Sequence, residues 1–254
     1  KIKFFKKKIY LIIFKLLGLH KGITWQATSA LEKEDIIREI GDVLNYIHIA
    51  PNLTLPIDNI NINNIKSRKQ GRLRIIFLSR ISPKKNLIFI LRVLSKIKIP
   101  IEFAIYGPKS DLNYWKKCLN LINKLPSNVQ TIINEEVPNN QVHNIFKNYD
   151  LFVFPTLGEN FGHVIFDSLR AGTPVLLSDK TPWKPNKNRS LQVLSLNENK
   201  WAEVIKEWSK FDDNKLFKKR KEALMYILDY TNSSISLKQN KKLFNYVLNN
   251  KNII

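Results

Sequence analysis

The chain of 254 residues has one cysteine, Cys118, so it can close no internal disulfide, and a cysteine-based zinc site is excluded. That usage fits a reducing compartment. The four histidines are dispersed as His20, His48, His143 and His163, which argues against a metal centre. No stretch approaches the roughly 18 uninterrupted apolar residues of a membrane span. A zinc finger, an RNA-binding aromatic signature and an arginine-rich arm are all missing. Acidic residues are scarce relative to basic ones, 21 against 42, which leaves a net charge of +21. Such a surplus points to an anionic partner (nucleic acid, a membrane surface or a phosphorylated substrate) or to a bias spread over the whole surface. The lysines are scattered among Asn and Ile, as in Asn61-Ile62-Asn63-Asn64-Ile65-Lys66, which favours the second reading.

What is present is ordinary in bulk: 44% hydrophobic and 11% aromatic residues, in a chain long enough for one large domain or two small ones. Lys1 to Lys8 is basic and Ile9 to Leu19 largely apolar, with Ala27-Thr28-Ser29-Ala30 resembling a cleavage site. Lys15 interrupts that apolar stretch and His20-Lys21 closes it, so residues 4–18 read as an amphipathic helix rather than a signal peptide. Such a helix packs on the protein surface or touches an anionic membrane. The first residue is Lys, which raises the expectation that the natural beginning lies upstream.

Ile23 to Ala27 reads as a short strand, Ser29 to Glu32 has capping-box spacing before a helix, and Asn45 to Ala50 reads as a second strand. A polar stretch over 57–70 reads as a linker. From Gly71 the pattern becomes regular. Strands are expected over 74–79, 101–106, 129–133, 151–154, 174–177 and 191–196, and helices over 87–97, 111–125, 141–149 and 161–171. Helical patterns fill most of 198–249. Short apolar strands alternating with helices predict an α/β fold with a Rossmann-like parallel sheet flanked by helices. In such sheets ligands bind at the carboxyl ends of the strands, which selects the loops after Ser79, Tyr106, Ile133, Phe154 and Leu177.

Two of those loops carry unusual chemistry. Ser79-Arg80-Ile81-Ser82-Pro83-Lys84-Lys85-Asn86 places three cations where a strand gives way to a helix start, whose amides already favour an anion. The glycines and Lys-Ser/Thr pair of a Walker A loop are absent. By itself this segment also reads as a solvated basic turn. The second loop, Pro155-Thr156-Leu157-Gly158-Glu159-Asn160-Phe161-Gly162-His163, offers a carboxylate for a sugar hydroxyl and, over 160–163, helix-start amides for phosphate. Asp167 lies further along on the face shared with His163 and Asn160. A plain helix start with acidic neighbours is the alternative. Of the tryptophans, Trp183 stands nearer the expected crevice and Trp115 is expected to be buried.

Together these loops resemble family 4 of the retaining glycosyltransferases, enzymes of the GT-B fold with two facing Rossmann-like domains. The matching segments are Phe77-Leu78-Ser79-Arg80 with Lys85, Ile105-Tyr106-Gly107-Pro108, Asp150 through Thr156, Gly158 through His163, and Ala171 through Val175. Ser178-Asp179 and Thr181-Pro182-Trp183 complete the set, which covers about 71–230 well and 20–56 loosely. The resemblance implies that Arg80 and Lys85 neutralise a donor diphosphate in place of a metal, with no cofactor. It implies that Glu159 contacts the transferred sugar and that Asp167, one methylene shorter than the family's usual Glu, contacts ribose. Asn160, Phe161 and Gly162 lend backbone donors, and His163 bonds the donor or pairs with Asp167.

The resemblance further implies that 1–56 is the last portion of an N-terminal acceptor domain, 71–232 the donor-binding domain and 233–254 a helix packing back toward the N-terminal part. On that reading the chain is a truncated product, a fragment or half of a split enzyme whose partner chain supplies the acceptor domain. The implied partners are a nucleotide-sugar donor and a saccharide or lipid-linked acceptor in surface polysaccharide or glycolipid synthesis. The implied location is cytoplasmic or peripheral at the inner face of the plasma membrane, and no specific nucleic acid is expected. A nucleotide-sugar-binding module without turnover, or a basic protein of membrane surfaces or nucleic acid, are the alternatives.

Overall fold

The computed structural model describes residues 2–41, 43, 46–53, 71–232 and 235–250; the linker expected over 57–70 lies outside them. The chain divides into two compact units, one of residues 1–55 with 233–254, the other of 56–232.

In the larger unit six strands form one parallel sheet: β3 (Leu73–Leu78), β4 (Ile101–Tyr106), β5 (Val129–Ile133), β6 (Leu151–Phe154), β7 (Val175–Ser178) and β8 (Leu191–Leu194). Their spatial order is β5-β4-β3-β6-β7-β8. This is the doubly wound order 3-2-1-4-5-6, whose direction of winding reverses between β3 and β6. The expected α/β class is therefore what the chain adopts. β3 and β4 are near-continuous apolar runs because both faces of each are covered. On one face Leu73, Ile75 and Phe77 join Ile101, Phe103 and Ile105 beneath α3 (Leu87–Ser95), α4 (Leu112–Ile122) and α7 (Glu198–Ser209). On the other, Ile76, Phe152, Phe154, Val175 and Leu177 pack under α5 (Asn139–Phe146), α6 (His163–Arg170) and α8 (Asp213–Asn232). Burying a side chain of this size is worth about 1.5–3 kcal/mol, and both faces of the sheet bury several against their helices. Cys118 is wholly buried in the first face, where desolvation pushes its thiol up to about 12; it is a core residue.

The junction of β3 with β6 carries a lock at its amino end. Asp150 accepts from the Arg74 backbone amide at 2.8 Å and from its guanidinium at 2.9 Å. Arg220 of α8 is buried and donates to the carbonyls of Tyr149 and Lys147. The same edge holds a cavity of about 540 Å³ lined by Arg74, Glu102 and Tyr149, and neither Arg80, Lys85, Glu159 nor Asp167 lines it.

The smaller unit contains α1 (Ile2–Leu16), a two-stranded parallel sheet of β1 (Trp25–Ala27) and β2 (Ile47–Ile49), α2 (Ala30–Ile40) and α9 (Ile235–Asn249). Ser29 caps α2 by accepting from the Glu32 amide, and the Glu32 carboxylate in turn accepts from Thr28. Leu11 and Phe14 of α1 pack on Ala27, Ile40, Val43 and Ile47. Asn240 of α9 donates to the Pro51 carbonyl, and Tyr246 lies on the His48 ring at 4.3 Å. No helix among the described residues is long and apolar enough to cross a membrane.

Candidate active site

The carboxyl ends of β3 and β6 are neighbours only because the sheet reverses there, and the two unusual loops leave the sheet at those ends. After β3 the chain is pinned to the loop after β4: Ser79 N donates to Tyr106 O and Ile81 N to Pro108 O. Gly107 makes this approach possible. Its φ is +132°, and a Cβ there would lie 2.1 Å from the Ser79 carbonyl oxygen. Pro83–Lys85 then forms a single 3-10 turn, and Asn86, at φ 58° and ψ 41°, turns the chain into α3.

The loop after β6 is stitched to this segment through a buried hydroxyl. Thr156 is fully buried, and its Oγ1 lies 3.1 Å from both the Lys84 and Gly158 carbonyl oxygens. Leu157 N donates to the same Lys84 oxygen at 2.8 Å. Ser178, at the end of β7, donates to Thr156 O, and Glu159 N donates to Lys180 O beyond it. Three strand ends are thereby tied together. Thr156 and Ser178 carried no assigned role in the sequence; their one signal was a hydroxyl residue at a strand end.

That stitching brings Lys85 and Glu159 into contact from positions 74 residues apart. Lys85 Nζ forms an ion pair with Glu159 Oε2, the two side chains being only 14% and 18% exposed. The ammonium also sits 5.2 Å from the centre of the Phe154 ring. Arg80 belongs to the same loop but is exposed, and its side chain makes no ion pair or hydrogen bond among the described residues. Asn160 is exposed at the loop's outer end.

α6 begins at His163, two residues later than expected, because Gly162 takes φ 79° and ψ 69°. The first-turn amides accordingly start at His163 rather than at residue 160. A Cβ on Gly162 would stand 2.7 Å from Ile165 Cδ1 and 3.0 Å from Glu159 Cγ, so glycine lets the carboxylate arm pass over the helix start. Phe161 is buried, its ring 5.5 Å from Trp183, whose Nε1 donates to the Phe161 carbonyl. This corrects the expectation for the tryptophans: Trp183 is the buried one, stacked on Tyr230, and Trp115 is half-buried beneath Lys109. Trp183 buttresses the loop from behind. His163 is exposed, with its ring 4.9 Å from Phe161. Asp167 is half-buried one turn on; burial raises its pKa, and Arg170, with Nη2 at 3.6 Å, and His163 hold it back. Lys85, Glu159 and Gly162 thus share one edge, Arg80 belongs to the loop that carries Lys85, and Asp167 is set back along α6. Such an edge can hold an anion by its cations and a polyol by its carboxylate.

The family described as glycosyl transferases group 1 matches residues 58–223. The chain belongs to this family. No curated protein sequence matches it significantly. Among solved structures, Anabaena HepE, in complex with UDP and glucose, superposes with a TM-score of 0.71 at 15% identity, over 95% of this chain and 67% of that one. A glycosyltransferase from Rickettsia africae gives 0.72 at 17% identity, over 91% and 65%. WaaG, a glycosyltransferase involved in lipopolysaccharide biosynthesis, gives 0.63 at 15%, over 88% and 62%. The chain spans about two thirds of the length of these proteins, and at such identities the likeness is one of fold. The six-stranded sheet with its helices is the fold of a GT-B glycosyltransferase C-terminal domain.

Proposed function

We propose that this glycosyltransferase domain binds a nucleoside-diphosphate sugar at the β3–β6 edge and belongs to the retaining, metal-independent enzymes of family 4. The observation that carries the reading is the contact of Lys85 with Glu159 at the reversal point of the sheet. Arg80 and Lys85 take the negative charge of the diphosphate, the part a metal ion plays elsewhere. Glu159 accepts from hydroxyl groups of the sugar, and Asp167 from the ribose diol. Amides from Gly162 and His163 complete the anion cradle. HepE in complex with UDP-glucose supports a uridine nucleotide as the first probe.

In the transfer step the bond between the anomeric carbon and the diphosphate oxygen breaks, and the acceptor oxygen bonds to that carbon on the same face. The acceptor proton passes to a diphosphate oxygen. Glu159 serves as a sugar contact and not as a nucleophile. The acceptor, a saccharide or lipid-linked saccharide of surface polysaccharide or glycolipid synthesis, is positioned by an acceptor domain of which residues 1–56 form the last portion. Without that domain, in this chain or a partner chain, donor binding persists and transfer is slow, because positioning supplies much of the rate.

The protein works in the cytoplasm at the inner membrane face. Ile9, Ile12, Ile13 and Leu16 form one exposed apolar stripe on α1 with Lys6, Lys8 and Lys15 beside it, the pattern of a helix lying in an anionic lipid interface. Co-sedimentation with vesicles containing phosphatidylglycerol, absent with phosphatidylcholine alone, is expected; equal binding to both refutes the charge argument.

Titration calorimetry with UDP, GDP and ADP tests the site itself. One of the three binds, and Arg80→Ala with Lys85→Ala abolishes the heat. Binding that survives this double substitution removes the diphosphate assignment.

A further inference from the structure

Lys85 and Glu159 are assigned to different parts of the donor, the diphosphate and the sugar, yet in the free protein they hold each other. Their ion pair is largely buried, with the Lys85 ammonium also against the Phe154 ring. Arg80, by contrast, is exposed and makes no ion pair or side-chain hydrogen bond among the described residues. The two cations are therefore not equivalent before a ligand arrives. Arg80 can meet an incoming diphosphate at once, whereas Lys85 is already neutralised and must exchange its partner. Glu159 is a stand-in for phosphate.

Breaking one side of a largely buried ion pair leaves the other charge uncompensated, and that cost is large compared with the net value of the pair. Both groups must find replacements together. An intact nucleotide sugar supplies both: phosphate oxygens for Lys85 and sugar hydroxyls for Glu159. A bare nucleoside diphosphate supplies only the first and strands the carboxylate beside its own negative charge.

We propose that the Lys85–Glu159 pair is the element that makes this site prefer an intact nucleotide sugar to the nucleoside diphosphate left after transfer. The proposal rests on the donor-site reading above and adds a specificity device to it. Discrimination is built by penalising the wrong ligand rather than by an extra contact to the right one. The same exchange serves turnover. Once the sugar has left for the acceptor, Glu159 loses its hydroxyl partners, recaptures Lys85 and displaces the diphosphate.

The test is calorimetry of UDP, GDP and ADP, with UDP-glucose as the intact donor whose affinity should change less, against the full chain and its Glu159→Gln variant. Glutamine keeps the shape and can still accept from Lys85 but carries no charge, so Lys85 stands ready for phosphate. The dissociation constant for the nucleoside diphosphate is expected to fall about tenfold, the size of one charge-assisted hydrogen bond no longer sacrificed. In a Lys85→Ala background the same substitution is expected to change affinity less than about twofold, as a double-mutant cycle on one pair requires. Glu159→Ala, which opens the contact without a side chain to repack, must move the affinity in the same direction. Unchanged or weaker binding by both Glu159 variants, while the parent protein binds, overturns the proposal alone. So does tightening of equal size without Lys85, which assigns the effect to general negative charge. No binding of any of the three nucleotides or of UDP-glucose, by the parent protein or by either Glu159 variant, overturns the donor-site reading and this inference with it.

Discussion

Thr156→Val changes almost nothing in volume and removes one hydroxyl from the point where three loops meet. In the parent structure Thr156 is wholly buried, with the Lys84 and Gly158 carbonyl oxygens 3.1 Å from Oγ1 and the Gly158 amide at 3.3 Å. Lys84 O keeps a second donor in Leu157 N, so it is not orphaned. The Gly158 amide and carbonyl lose the hydroxyl, and a half-buried backbone group left without its partner costs about 1–3 kcal/mol. Since valine fills the space, no cavity penalty is added. For a domain of this size each kcal/mol lowers the melting temperature by about 2–4 °C, so a fall of roughly 2–12 °C is expected in a thermal unfolding scan. Thr156→Ser keeps the hydroxyl, loses only a methyl group, and should recover most of the difference. UDP affinity should follow the same order, parent above serine above valine, because the Glu159 loop hangs from this node. A valine variant as stable as the parent within about 0.5 kcal/mol, the spread of an ordinary surface change, refutes the argument.

Gly107→Ala places a methyl group 2.1 Å from the Ser79 oxygen at a φ of +132°. A loss above about 3 kcal/mol in urea unfolding, or no soluble protein, is expected from strain and overlap together, and a shift under about 1 kcal/mol contradicts it. His143 is held neutral, chiefly by burial and secondarily by Lys147 and Arg170, with its pKa lowered from 6.5 to about 4. The unfolded chain takes up this proton first, so the stabilisation is complete above pH 6.5 and is lost as pH falls toward 4. Urea unfolding should show a loss of about 1–3 kcal/mol across that window that is missing in His143→Gln; equal slopes in both proteins refute it.

The alternation of strands and helices from Gly71 was legible because each central strand is buried on both faces and reads as an unbroken apolar run. Leu73–Leu78 and Ile101–Tyr106 lie within a residue of expectation for that reason. The start of the helix expected over 111–125 was legible too, since Asp111 at its first position accepts from the Tyr114 amide as local spacing requires. The start of α6 was not, because whether Gly162 continues a helix or takes a positive φ depends on the passage of Glu159 above it. The exchange between Trp115 and Trp183 has a similar origin: an indole in a loop gives no sign of whether its ring points outward or back under the chain. The Lys85–Glu159 contact and the Thr156 node were illegible in principle. Their partners are backbone and side-chain groups brought together by the strand order, which local periodicity does not encode.

The one pairing between β3 and β6 has a consequence for how the domain assembles. Every other neighbouring pair of strands in the sheet is also consecutive in the chain, whereas Arg74 and Asp150 meet across 76 residues. Among the strand pairings the cost of loop closure falls on that seam, and contacts of long sequence separation, this one and the packing of α7 over β3 and β4 alike, are the slow ones to form. The two half-sheets, β3 to β5 and β6 to β8, can each zip from local contacts without it. Lys85 belongs to the first half and Glu159 to the second, so the binding edge comes into being only when the halves close. A molecule that recognises both residues binds the closed sheet and neither half, which makes it a clasp on the last step of folding, stabilising by mass action what the chain finds hardest to reach.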